Sequence, residues 1–111
     1  MSAEKNIAKS TAQLNDLGVK VNDALLEKIV KGLGIANQSV DASLVSATDP
    51  EELKRVEDGF LTKKLGIDDA DAKSKAVADV MAQMKGINQK QRGTVYYLLT
   101  EKFGKESVYL G

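Results

Sequence analysis

The chain has 111 residues, 42% of them hydrophobic and 29% charged, with 16 basic residues balanced by 16 acidic ones. Such a mixture and length describe about one ordinary globular domain with a core of its own and exclude wholesale disorder. Cysteine and histidine are both absent, which excludes disulfides, a thiol nucleophile, thiolate or imidazole metal ligands and the commonest general base.

In chain order, the first predicted helix covers residues 3–17, with Ile7, Leu14 and Leu17 at helical spacing on a largely polar background. The second begins at Asn22, a favourable N-cap, with Val21 and Leu26 placed as a hydrophobic staple. Leu25, Leu26, Ile29, Val30 and Leu33 then form one wide apolar stripe. After Gly34 comes the longest connection in the chain, IANQSVDASLVSAT. Long loops in small domains tend to be functional or to hide a short element. Ile35, Val40, Leu44 and Val45 are expected to pin this one to the core, around a short helical turn near residues 39–44.

The third helix has the clearest start. Asp49 caps it, Pro50 takes the first helical position, and Glu52 is placed to close a capping box. Leu53, Val56, Phe60, Leu61 and Leu65 supply its buried face, and Gly59 is expected to allow another helix to approach closely. The fourth follows the acidic cluster Asp68, Asp69 and Asp71, and carries Val77, Val80, Met81 and Met84 toward the core. The fifth is expected to start at Asn88 with Gln91 as capping-box partner, burying Val95, Leu98, Leu99 and Phe103. Tyr96 or Tyr97 is expected at its margin, hydroxyl in water. The apolar tail Ser107-Val108-Tyr109-Leu110 should pack back on the bundle or, as the second choice, dock on a partner.

These five patterns stop at Gly18, Gly34, Gly66, Gly86 and Gly104, where glycine can take the left-handed conformation that ends a helix. The reading is one all-α domain over residues 1–111: a compact, non-parallel bundle of about five helices with a long connection between the second and third. Fraying is expected at 1–6 and 109–111.

Chemistry is sparse. Asp41-Ala42-Ser43-Leu44 is superficially similar to the Asp-Ser-Leu of acyl carrier proteins, but an alanine separates the aspartate from the serine and a helix start at Asp49 interrupts the pattern. A calcium loop laid on Asp41, Ser43 and Glu52 puts Val45 at a ligand position and Ser46 where glycine is needed. Tyr96, Tyr97 and Glu101 lie close on one helix without placing a nucleophile beside a base. No enzyme activity, cofactor or metal is expected. From Lys85 to Lys105 the basic residues Lys85, Lys90, Arg92, Lys102 and Lys105 stand against Glu101 alone. That makes nucleic-acid binding through the basic helix 88–104, with Lys90 and Arg92 on phosphates, the alternative function. The first twenty residues lack an apolar signal core, and no apolar run approaches the roughly 20 residues a membrane span needs. Cytoplasmic location is therefore expected.

The stretch Asp41-Ala42-Ser43-Leu44-Val45-Ser46, continuing through Glu52-Leu53, Phe60-Leu61 and Lys63-Lys64-Leu65-Gly66, resembles a small bacterial family, domain of unknown function 2853. Tyr96-Tyr97-Leu98-Leu99 and Phe103-Gly104-Lys105-Glu106-Ser107 carry the same resemblance. It implies a compact, mostly helical, cytosolic bacterial protein and transfers no functional residue. The leading expectation is a non-catalytic interaction or structural module, self-associating or bound to another protein. Its candidate surface is Gln38, Asp41, Ser43 and Ser46 in the long loop, with Tyr109 and Leu110 in the tail.

Overall fold

A computed structural model describes residues 3–34 and 42–111. Its helices are α1 (Ala3–Asp16), α2 (Asp23–Lys31), α3 (Pro50–Arg55), which continues as a π-helix over Val56–Thr62, α4 (Ala70–Gln83), α5 (Arg92–Lys102) and α6 (Ser107–Leu110). Two short strands, β1 (Leu44–Val45) and β2 (Lys90–Gln91), pair antiparallel with Leu44 opposite Gln91 and Val45 opposite Lys90. The fold is predominantly α-helical, as the apolar periodicity and glycine punctuation imply. Gly18, Gly34, Gly66 and Gly104 all have positive φ, whereas Gly86 does not.

The helix starts follow the capping residues. Asn22 accepts a hydrogen bond from the Leu25 N–H at 3.2 Å, Asp49 from Glu51 at 3.0 Å and Asp69 from Ala72 at 3.0 Å. Each satisfies a backbone donor that has no partner within its helix. At Asp49 the capping box is left half made, because the Glu52 carboxylate turns to two arginines instead.

The core is organised around α5. This helix packs against α1, α2 and α4 and meets both strands, and Gly93, Thr94, Val95, Tyr97, Leu98, Leu99 and Thr100 are all buried along it. It is therefore the central helix and not a basic face turned to solvent. It also starts later than its sequence signals imply. Asn88 does not cap it, because Lys90 and Gln91 are extended and pair with β1. A residue from another helix supplies polar partners at this start. Gln13 of α1 accepts from the Gln91 N–H at 3.1 Å and the Thr94 hydroxyl at 3.0 Å, and donates to the Gln89 carbonyl at 2.7 Å.

Four further expectations are corrected. The fully buried residues of α1 are Asn6, Ser10 and Leu14, while Ile7 and Leu17 are only partly covered. Gly59 has open space where a Cβ would stand; the close approach occurs at Gly93, where a Cβ would come 2.8 Å from both Ser10 Oγ and Val30 Cγ2. Of the two tyrosines Tyr96 is the marginal one, but its hydroxyl accepts from Arg92 and not from water, while Tyr97 is wholly buried and its hydroxyl accepts from the Asn22 N–H at 2.7 Å. The helix expected to run unbroken to Leu65 widens at Val56. Even Leu65 N–H reaches back to the Phe60 carbonyl, at 3.1 Å. At its far end Thr62 is held by Lys73 of α4, whose ammonium donates to the Thr62 hydroxyl at 2.6 Å. Near the N-terminus, α1 has begun by Ala3 and Asn6 is already buried; at the other end Tyr109 sits half-buried within α6.

Candidate functional site

Arg92, the first residue of α5, is the most heavily engaged polar side chain described. Its Nε donates to the Ala42 carbonyl at 2.9 Å, Nη2 to the Leu44 carbonyl at 3.0 Å and to the Glu52 carboxylate, and Nη1 to the Tyr96 hydroxyl at 3.3 Å. Its backbone N–H adds a bond to the Ser43 carbonyl at 2.7 Å. The side chains of Arg92 and Glu52 are only 14% and 11% exposed. Burial works against the guanidinium charge, yet hydrogen bonding to Tyr96 and Glu52 holds its pKa above the ordinary value. Glu52 also takes a hydrogen bond at 3.0 Å from Arg55, whose side chain is mostly in solvent. Tyr96 stacks on Phe60 with ring centroids 3.8 Å apart and planes within 9°. One arginine thus clasps the end of the long loop, α3 and its own helix, and its tyrosine neighbour extends the contact to the π-helix.

A guanidinium has five N–H donors in a fixed fork and suits this kind of planar, many-partner bonding. Four of these five donors, which would otherwise be available to grip a phosphate, are occupied inside the protein. Lys90 is similarly committed: it is 8% exposed and its ammonium donates to the Ile87 carbonyl at 2.6 Å. The structure therefore brings the two proposed phosphate contacts to one end of α5 and turns both inward.

Two surface hollows adjoin the clasp. One, of about 390 Å³, lies beside the strand pair and is lined by Ser46, Asp49, Asn88 and Gln89 among others. The other, of about 620 Å³, is bordered by Gly32, Leu33, Arg55 and Tyr96. Neither gathers a nucleophile, base and oxyanion donor. Among the described residues no group of three or more acidic side chains is arranged to hold a metal ion.

The loop and tail singled out from sequence separate in space. Gln38 and Asp41, with Ile35, Val40 and part of the expected helical turn, lie outside the described residues. Ser43 is buried at 1% exposure, and Leu44 continues into β1 where that turn was expected to end. Ser46 is exposed, its hydroxyl 3.4 Å from that of Thr48. The tail forms α6, which packs against α2. Tyr109 turns inward, where a Cβ on Gly32 would meet its ring at 3.8 Å and the Lys64 ammonium lies 4.8 Å from the ring centroid. Val108 and Leu110, each 39% exposed, are the exposed large hydrophobic residues of the described molecule. Sequence reasoning missed Glu52 and Gln13 as polar anchors, and both are invisible locally because their partners are dozens of residues away. The role of α5 did leave a signal: from Gly93 to Thr100 the chain has no charged residue.

Burial, then repulsion from Tyr96, pushes the Tyr109 phenol up to about 12 from its ordinary 10.0, and burial raises Tyr97 as well. A raised folded-state value means that the fold holds a proton the unfolded chain releases first. This stabilisation is present below pH 10 and is lost as pH climbs from 10 toward about 12. Denaturant midpoints measured across that interval should fall with rising pH. Tyr109→Phe should flatten the fall, and an unchanged slope in that variant would refute the assignment.

No helix described is long and apolar enough to cross a membrane. The chain matches the family model described as "Protein of unknown function (DUF2853)" over residues 9–107. No curated protein matches it.

Proposed function

The chain belongs to the DUF2853 family, and within it we propose a non-catalytic cytoplasmic interaction module that self-associates through α6. The observation that carries this reading is the pairing of Val108 and Leu110 on one short helix, exposed while the other large apolar side chains described are at least partly covered. The fold does not need a partner to complete its core. Its accessible surface is 6112 Å² at 11.9 kDa, close to the roughly 5,900 Å² expected of a monomer that size. Association through two exposed side chains belongs to the weak, transient class below about 1,200 Å² of buried surface. No feature of the described surface favours the nucleic-acid alternative, since Lys90 and Arg92 are spent within the fold.

The test is a dilution series of the chain itself followed by amide NMR. Signals from residues 105–111 should move with concentration, and Val108→Ser with Leu110→Ser should abolish the movement without altering the core signals. Shifts independent of concentration up to the millimolar range would refute self-association through this helix.

A further inference from the structure

The charges of the clasp do not balance. Glu52 gives one carboxylate oxygen to Arg92 and the other to Arg55, so two guanidinium groups share a single buried carboxylate. Glu51 approaches Arg55 only to 3.8 Å and its side chain is 85% exposed, and an ion pair so open to water contributes little. One positive charge is left over where α3 meets the start of α5. Hydrogen-bond donors are left over as well. Arg55 donates to Glu52 at 3.0 Å, and the rest of its fork has no hydrogen-bond partner among the described residues. Arg92 keeps one Nη1 hydrogen after its four side-chain bonds. The Tyr96 hydroxyl accepts from Arg92 at 3.3 Å, and no acceptor among the described residues takes its own proton.

These three side chains line one hollow, of about 620 Å³, a volume within the few hundred to about 1,000 Å³ usual for small-molecule sites. Leu33 and Ala42 add an apolar surface to it. Glu52 also lies in the wall, but both of its oxygens are already bonded. The hollow therefore combines unspent donors, one surplus positive charge and an apolar side. A carboxylate matches that inventory: it is planar, carries one negative charge and only accepts, and a guanidinium grips it through two parallel N–H···O bonds. A phosphate dianion would bring one charge more than the clasp leaves unbalanced. We propose that this hollow binds a small monocarboxylate. Arg55 holds the carboxylate, the Tyr96 hydroxyl and the remaining Arg92 hydrogen orient it, and its apolar body lies against Leu33 and Ala42. The site does not involve Val108 or Leu110, so it stands or falls apart from the reading of α6.

The experiment is a titration of the dilute wild-type chain with butanoate, followed by amide NMR, with butanamide and inorganic phosphate as comparisons. Butanoate should give saturable shifts at Gly32, Leu33, Ala42, Arg55 and Tyr96. Butanamide, of the same shape but uncharged, should give none, and phosphate should bind more weakly. Arg55→Met keeps an exposed aliphatic stem and leaves Glu52 paired with Arg92. It should raise the dissociation constant roughly 10-fold or more, the scale of a lost charge-assisted hydrogen bond. Tyr96→Phe keeps the ring beside Phe60 and should weaken binding several-fold. Helical circular dichroism of both variants checks that the body is folded. Absence of saturable butanoate shifts in the wild-type chain would overturn the proposal, as would affinity unchanged by Arg55→Met. Butanamide or phosphate bound as tightly as butanoate would overturn the assignment to a monocarboxylate.

Discussion

Arg92→Ala should destabilise the fold by about 3–5 kcal/mol, the range for removing one partner of a buried ion pair. In a domain whose whole stability is on the order of 5–15 kcal/mol, that is a large share. The loss has two sources. Glu52, at 11% side-chain exposure, would keep only the solvent-facing Arg55 as counter-charge. The carbonyls of Ala42 and Leu44 would lose the guanidinium that now bonds them. Arg92→Lys should recover only part of the loss, since one ammonium cannot span two carbonyls, a carboxylate and a phenol. Urea midpoints of the three proteins check this. A Lys variant as stable as wild type would show that charge alone matters and that the fork geometry does not.

Gly93→Ala and Gly59→Ala should move stability in opposite directions. In a helix interior, alanine is favoured over glycine by about 1 kcal/mol. At Gly59 nothing lies within 4 Å of the new methyl, so a gain of roughly 0.4–1 kcal/mol is expected. At Gly93 the methyl would meet Ser10 Oγ and Val30 Cγ2 at 2.8 Å. Both atoms belong to short, buried side chains on two different helices, so relief requires α1 and α2 to move away from α5. Overpacking of that kind costs about 1–3 kcal/mol, which exceeds the propensity gain over most of that range. A stabilising Gly93→Ala would mean that α1 is not wedged against α5 as described.

The two glycines also show where the sequence is readable. Local signals could be read directly: Asn22 and Asp49 as caps, Gly18, Gly34, Gly66 and Gly104 as left-handed stops, and the apolar stripe of α2. Each depends on a few neighbouring residues. What could not be read depends on a partner far along the chain. Gly59 and Gly93 look alike in sequence, and only the arrival of Ser10 and Val30 distinguishes them. Glu52 has the spacing of a capping-box residue, yet Arg92 claims it from forty positions away.

The same limit governs the site. Asn6 and Ser10 belong to a buried helix face that a search for apolar periodicity passes over, and at Ser10 it is Gly93 of α5 that approaches. Lys90 and Arg92 read as a basic surface when counted as charges. Their hydrogen bonds make them internal fastenings instead. The tail was legible in part: its apolar character announced contact with the bundle, and Tyr109 provides it. That Val108 and Leu110 remain outside could be learned only from the packing of α6.

Together these features describe a molecule fastened from its centre outward, with α5 as the hub and α6 as a short terminal helix at its edge. Native-state hydrogen exchange of the dilute wild-type chain tests that most directly. Amides of residues 95–100 should exchange slowest, through global unfolding, while those of Val108, Tyr109 and Leu110 exchange through a far easier local opening that leaves α5 protected. Equal protection of α6 and α5, lost together in one transition, would contradict it.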